Sequence, residues 1–361
     1  MRAAKRLTAA VIGTGQIAQQ HLDFLSSSAG IQVVGVSDLS LAVANYVAKR
    51  NHILGVFTDY RRMLEEKTPD VVHVLTPPQT HVRIVRDCLD AGAHVIVEKP
   101  IAPTHAEFGH LWETACRQGR LLIEDHNYKF NDPMIALSRL WKGGAIGEIK
   151  EIEIRIVLRI RAEGGRYADR NLPHPSHTLP AGALHEFISH MCYLALCFIP
   201  YAGNDSFDDY EHVTATWRNV GGGPVFKYDD LDANFEARRV RVRLRFSSET
   251  WPECFTVTIR GASGFAETDL FQPYLRLEIP RSAGPFTPIL NQWSFGAHLK
   301  RTAWRNLFDK LMQKDSYHGL TRFLLSAYRA ISTGTEPPVT FEDMDRTSRL
   351  IDALVATGGR R

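Results

Sequence analysis

Early in the chain an apolar run, Thr8-Ala-Ala-Val-Ile, meets Gly13-Thr-Gly15-Gln-Ile-Ala18 and passes straight into helix-periodic residues over 16–26. A buried strand that turns on glycine into a helix opens a βαβ unit, because residues without Cβ let the backbone double back and pack closely. The rhythm then repeats to about Glu124. Short apolar runs, Gln32-Val-Val-Gly-Val-Ser-Asp, Val71-Val-His-Val-Leu-Thr, His94-Val-Ile-Val-Glu and Leu121-Leu-Ile-Glu, alternate with helical spacing over 41–49, 81–91 and 106–118. Strands this uniformly apolar are covered on both faces, so the pattern predicts α/β: a doubly wound Rossmann domain with a parallel sheet.

Past about Asn127 the strands lengthen and alternate, as in Ile152-Glu-Ile-Arg-Ile-Val-Leu-Arg-Ile and Val240-Arg-Val-Arg-Leu-Arg-Phe. One apolar and one charged face describe a sheet with helices on one side only. Strands over 254–260, 264–270 and 274–279 extend it, and helices are expected over 185–198, 304–333 and 341–356. The 361 residues thus divide into residues 1–124, the Rossmann domain, and 125–361, an α+β domain with a large open, mainly antiparallel sheet. The C-terminal helix is expected to pack back on the first domain.

Charge removes one class of partner. Lys and Arg total 43 against 40 Asp and Glu, a net +3 that lacks the basic excess of a nucleic-acid binder. The five cysteines, Cys88, Cys116, Cys192, Cys197 and Cys254, are odd in number and form no C-x-x-C pair, which fits reduced thiols in the cytoplasm. No signal core precedes the first strand, and the longest uncharged apolar run, 191–200, is too short to cross a bilayer. No membrane partner is expected.

In Gly13-x-Gly15-x-x-Ala18, with Gln16 and Ile17 opening the helix, a pyrophosphate can approach the helix N-terminus. Asp38 closes the second strand 23 residues after Gly15, where a carboxylate can bind ribose hydroxyls. The blander reading is a tight turn with Asp38 as a helix cap. Asp38 would repel a 2′-phosphate, and no Arg or Lys follows it immediately, so NAD is preferred over NADP.

Thr76-Pro77-Pro-Gln-Thr-His81 and Glu98-Lys99-Pro100 follow two further strands, at the carboxyl edge where such sheets bind ligands. With the glycine turn and Asp38, these spacings resemble the glucose-fructose oxidoreductase, inositol dehydrogenase and rhizopine-catabolism family (Gfo/Idh/MocA). The resemblance implies that Lys99 lies beside the nicotinamide and the substrate, and that Thr76, Pro77, His81 and Glu98 border the cofactor. The family also carries an acidic residue and a histidine four apart on a helix after a glycine-rich turn. Here Gly182-Ala-Leu-His185-Glu186-Phe-Ile-Ser-His190 corresponds, with Glu186 where the family usually has Asp and one glycine retained. Glu186 and His190 share a helix face. His190 is then the implied proton-transfer residue.

His185 and His190 are five apart and diverge by about 140°, which does not suit the i, i+4 histidine pair of zinc proteases, so no metal is expected. His185 is either a substrate contact or a capped helix histidine. The loop over 161–180 holds Arg166, Tyr167, Asp169, Arg170, Asn171, His174 and His177 and reads as substrate-facing or as a solvated connector. Tyr128 and Lys129, in Asn127-Tyr-Lys-Phe-Asn-Asp-Pro133, resemble the family segment bordering the substrate cleft. Arg239, Arg241, Arg243 and Arg245 share one strand face, where neighbouring strands can supply acidic partners. The resemblance implies a dimer or tetramer through that open face.

The leading function is oxidation of a secondary alcohol of a sugar, cyclitol or sugar derivative, or the reverse, by an NAD-dependent oxidoreductase. His190 is its base, Lys99 its electrostatic partner and Glu186 the orienting carboxylate. Two alternatives stand beside it: a glycoside hydrolase that oxidises its substrate transiently, and a nucleotide-sensing protein without turnover.

Overall fold

In the computed structural model, which describes residues 6–169, 174–201, 210–281, 283–311 and 318–358, the first strand β1 (Leu7–Ile12) is wholly buried from Ala9 onward. Helix α1 (Gln16–Ser27) returns the chain to β2 (Ile31–Ser37). There follow α2 (Leu41–Arg50), β3 (Val56–Phe57), α3 (Tyr60–Lys67), β4 (Val71–Val74), α4 (His81–Asp90), β5 (His94–Val97), α5 (His105–Gln118) and β6 (Leu122–Glu124). All six strands are parallel, in the order β3-β2-β1-β4-β5-β6, the doubly wound arrangement that the apolar runs predict. The strand order reverses between β1 and β4, so the segments after these two strands border the switch-point crevice.

The chain forms two compact units: residues 1–127 with 320–348, and residues 128–319 with 349–361. The first therefore includes most of α9 (His318–Thr333) and the start of α10 (Phe341–Thr357). Tyr328 of α9 lies with its ring 5.7 Å from Phe24, and the Phe341 ring lies tilted 4.7 Å from Trp112.

The second unit contains α6 (Asp132–Lys142), β7 (Ile149–Val157), α7 (Leu184–Leu196), β8 (Glu211–Arg218), β9 (Asp230–Ala237), β10 (Val240–Ser247), β11 (Cys254–Gly261), β12 (Phe265–Asp269), β13 (Leu275–Glu278) and α8 (Thr287–Leu311). Its sheet runs β13-β12-β11-β7-β10-β9-β8 and is antiparallel except where β7 and β10 pair in parallel. Ile152, Ile154, Val242, Leu244, Val257 and Ile259 point into one core with Ile188, Met191 and Leu194 of α7. The opposite face is charged and largely self-matched: Arg241 meets Glu151 at 3.2 Å and Arg243 meets Asp232 at 2.7 Å.

One expected element changes. The sequence pattern predicts a helix over 304–333, whereas α8 begins at Thr287 and α9 is a separate helix from His318. Pro288 in the first turn is the start signal, since proline costs nothing where the N–H has no intrahelical partner. Helices α3 and α6 lie outside the expected elements; α3 has eight residues and buries only Met63 and Leu64, and α6 buries Pro133, Met134 and Leu137. Among the described residues no helix is long and apolar enough to cross a membrane.

Candidate active site

Gly13 ends β1 with φ at +90°, and a Cβ built there would stand 2.7 Å from the Leu75 carbonyl oxygen and 2.9 Å from the Thr76 amide nitrogen. The turn can sit this close to the segment after β4 only with glycine. Gly15 precedes α1 without a side-chain cap, and a Cβ there would meet nothing within 4 Å. The amides that open α1, at Gln16 and Ile17, therefore border free space at a helix N-terminus, which is what a pyrophosphate needs. Asp38 Oδ2 accepts both the amide and the hydroxyl of Thr14 at 2.8 Å, and Oδ1 accepts the Ser40 amide at 2.9 Å. Asp38 thus pins the glycine turn to the end of β2 and retains carboxylate lone pairs for ribose hydroxyls.

Gly13→Ala is expected to cost about 2–4 kcal/mol, because the clash is with backbone and the φ is unfavourable for an L-residue. Thermal unfolding followed by circular dichroism, with and without NAD, checks this. An unshifted melt that NAD still raises would contradict it.

His81, placed with the cofactor by the sequence, is completely buried. Its Nε2 lies 2.7 Å from the Thr76 carbonyl and its Nδ1 2.8 Å from that of Pro100. Burial holds its pKa below the ordinary range, so a neutral ring donates to one of the two carbonyls. Its position is that of a strut between the Thr76-Pro77 loop and the Glu98-Lys99-Pro100 turn, not of a ligand contact.

Glu98 belongs to a buried group that sequence reasoning missed. His21 Nε2 lies 3.7 Å from Glu98 Oε1 and 3.7 Å from Asp125 Oδ2. His21 Nδ1 faces His73 Nδ1 at 2.8 Å, and His73 Nε2 faces the Tyr328 hydroxyl at 2.9 Å. Burial drives the His73 pKa far down, so that ring is neutral. Burial, with Glu98 adding to it, pushes the Asp125 carboxyl well above its ordinary range. Burial alone would raise Glu98 too, but His21 and Lys99 outweigh it and hold that carboxylate lower. Glu98 is therefore the more acidic member of the pair and Asp125 the one that holds its proton longer, beside Lys99. His21 and Asp125 carry no motif around them; only the fold brings helix α1 and the end of β6 together.

The signs of these two shifts are opposite. Folded Asp125 holds its proton to higher pH than the unfolded chain does, so this group's contribution to stability falls as pH rises from about 4 through its raised value. Glu98 contributes stability above about 4.5 that is lost as pH falls through its lowered value. Asp125→Asn is accordingly expected to melt about 2–6 °C above the parent protein at pH 8 and level with it near pH 4. Glu98→Gln should melt below the parent at pH 8, with the gap closing in acid. Gaps that ignore pH would contradict this reading.

The second unit carries the remaining sequence-derived candidates. His190, on α7, has Nδ1 2.8 Å from the Tyr193 hydroxyl, and the Tyr128 ring meets it edge-on at 4.8 Å. Lys129 follows in the same short helical turn. Glu186, one turn earlier, accepts the Tyr167 hydroxyl at 2.8 Å, with Arg166 at 3.7 Å and His174 at 3.8 Å. Burial and the Glu186 carboxylate raise the Tyr167 pKa, so this phenol is a fixed donor. His177 Nε2 lies 2.8 Å from the Tyr167 carbonyl and its ring stacks edge-on against Phe226, which ties the loop down. His185 is buried at the start of α7. Arg170 and Asn171 lie outside the described residues. Lys99 belongs to the first unit and Glu186 and His190 to the second.

Residues 7–126 match a protein family described as "Oxidoreductase family, NAD-binding Rossmann fold". Among curated proteins, D-glucoside 3-dehydrogenase of Escherichia coli (strain K12) is 30% identical over 168 residues, 46% of this chain and 48% of that protein. The chain spans about half the length, or less, of the curated relatives it matches first. Among solved structures, an oxidoreductase from Agrobacterium radiobacter in complex with NAD+, L-tartaric acid and magnesium superposes with a TM-score of 0.77 at 15% identity, covering 99% of this chain and 97% of that one. A 3-ketoreductase from Actinomadura kijaniata, KijD10, solved with NADP and TDP-benzene, gives 0.73 at 19% identity, with 98% of each chain covered. These likenesses extend the shared fold to both units.

Proposed function

Because residues 7–126 belong to the Gfo/Idh/MocA oxidoreductase family, we propose that this protein transfers a hydride between a nicotinamide cofactor and a secondary alcohol carbon of a sugar, cyclitol or sugar derivative. The observation that carries the reading is in the first unit: the glycine turn, Asp38 and Lys99 all lie at the carboxyl ends of the same parallel strands, with α1 uncapped among them. The E. coli glucoside dehydrogenase and the ketoreductase support the substrate class by their names.

Gly13, Gly15, Gln16 and Ile17 hold the pyrophosphate, and Asp38 the adenosine ribose. Thr76, Pro77, Glu98 and Lys99 border the nicotinamide end, while His81 braces them. Asp38 would repel a 2′-phosphate, and the next residue is the almost fully exposed Leu39, so NAD is the preferred cofactor over NADP. When bound, the nicotinamide supplies the hydride chemistry.

The chain's own residues handle the proton. With His190 Nδ1–H donating to the Tyr193 oxygen, Nε2 keeps its lone pair and accepts the hydroxyl proton of the substrate. Lys99, as an ammonium, donates to that oxygen and stabilises the negative charge that develops on it. Glu186, fixed by Tyr167 and Arg166, orients a neighbouring substrate hydroxyl or His190. Tyr128, Lys129, Arg166, Tyr167, His177 and His185 form the substrate side. A cytoplasmic setting goes with this chemistry, and all five cysteines are free thiols.

The test is a panel of sugars, glycosides and cyclitols with NAD or NADP, read as absorbance of the reduced cofactor, with substrate deuterium followed into it. Reduced cofactor carrying that deuterium supports the proposal. Glycoside cleavage with solvent deuterium incorporated and no net reduction would replace it with the transient-oxidation hydrolase. Nucleotide binding without either reaction would replace it with the sensor.

A further inference from the structure

Helix α8 is turned inside out. The face that packs along edge strand β13 is mostly polar. Asn291 bridges Arg281 at 2.7 Å and the Ile279 carbonyl at 3.0 Å, His298 Nε2 accepts the Leu275 amide at 3.3 Å, and Asn306 donates to the Pro273 carbonyl at 2.9 Å. Thr302 is buried on the same side, and Phe295 is the one large apolar residue among them. At about 100° per residue these positions cluster on one face of the helix, and the opposite face carries Ile289, Trp293, Trp304, Leu307 and Leu311, preceded by Phe286. All of these are exposed: Trp293 at 71%, Trp304 at 74% and Leu311 at 72%. An amphipathic helix that docks its polar side and offers an apolar stripe to water is built for a partner.

The order of residues along the stripe says which partner. Measured from the level of the bond between His298 and Leu299, Trp293 mirrors Trp304, Leu290 mirrors Leu307, Ile289 mirrors Phe308 and Phe286 mirrors Leu311. A two-fold axis sets residue i of one copy against j of the other and j against i, so with these pairs apolar positions meet apolar positions along the whole stripe. Lys300 lies on the stripe itself, level with Ala297 of a second copy, while Arg301 and Arg305 flank the stripe, level with Gly296 and Gln292. The small Gly296-Ala297 pair beside the centre lets two helices approach closely.

We propose that α8 is a self-association surface, pairing antiparallel with α8 of a second copy of this chain, Trp293 of one copy against Trp304 of the other. Phe286, Trp293, Trp304 and Phe308 average about two-thirds exposed, so these aromatics from two copies remove roughly 800–1,300 Å² from water. Ile289, Leu307 and Leu311 bring the total into the range of roughly 1,200–2,000 Å² that stable interfaces bury. On the open sheet face Arg241 is paired with Glu151, and Arg243 and Arg245 with Asp232, so that face presents charges where α8 presents apolar side chains. A contact there in addition would make a tetramer.

The test measures the mass of the full chain by sedimentation, for the parent protein and for Trp304→Glu, with circular dichroism to confirm that the exposed substitution leaves the fold intact. Each substitution occurs twice across a two-fold, so the dissociation constant should rise by at least about 100-fold and the assembly should halve. Register is read separately. Ile289→Cys and Phe308→Cys chains should form a disulfide when mixed and oxidised, above the parent's own background, whereas neither should do so alone. A parent chain that is monomeric at micromolar concentration, an unchanged mass for Trp304→Glu, or a monomer that instead co-sediments with anionic phospholipid vesicles through α8 would overturn the proposal.

Discussion

Replacing His190 with alanine is expected to lower kcat for the alcohol oxidation about 10²–10⁴-fold, the usual contribution of a positioned general base, while NAD binding is retained. The ring is held by Tyr193 at 2.8 Å and by the edge-on contact with Tyr128, so its orientation does not depend on the substrate. This makes Tyr193→Phe an informative companion. Losing the hydroxyl leaves the packing but frees the tautomer, and kcat should drop by about 10-fold with a changed pH profile. Only a neutral imidazole accepts a proton, so a base-dependent limb of the parent's pH–rate profile should vanish with His190. A His190→Ala protein with parental kcat and an unchanged pH dependence would show that the proton leaves by another route.

Replacing Lys99 with methionine is expected to lower kcat about 10²–10³-fold, the measured scale for removing one donor to a developing oxyanion. Methionine keeps much of the aliphatic stem, so the loss reports charge and hydrogen bonding rather than packing. Lys99 also lies close enough to Glu98 and Asp125 to help hold charge on that buried pair. The variant should therefore show a second effect that a residue acting on substrate alone would not produce. The acid limb of its thermal-stability curve should move to higher pH, because Glu98 loses one of the cations that lower its pKa. Loss of activity with an unmoved stability curve would confine Lys99 to the substrate oxygen. Unchanged activity would remove it from the mechanism.

Much of the architecture is legible from local pattern. The buried runs at Val71 and His94 and the alternation at Ile152 and Val240 respond to burial on two faces or one, and burial is what the sheet topology decides. The glycine turn is legible for the same reason, since the contact with Leu75 leaves Gly13 no substitute. His21 and Asp125 are not legible. They are 104 residues apart in the sequence and meet only because the fold sets helix α1 beside the ends of β5 and β6, where Glu98 and Asp125 lie. His81 could be read as a ligand contact because its place after β4 is visible, whereas the two carbonyls that claim its ring are not. The start of α8 is not legible as a core helix, because its apolar periodicity lies on the exposed face. The apolar side of α8 is the outer one, and its inner side is a row of amides, hydroxyls and an imidazole.

The division of the chain has a consequence for how the protein is made. The nucleotide unit takes residues 320–348 from near the other end of the sequence, and among these Tyr328 meets His73 while Asp345 binds His105 at 2.8 Å. As the ribosome delivers the chain from its N-terminus, β1 to β6 emerge with those partners still unsynthesised. The second unit's sheet can pair first. The first unit is therefore begun before that sheet and completed after it, and until residues 320–348 are made the apolar ground beneath α9 has nothing to cover it.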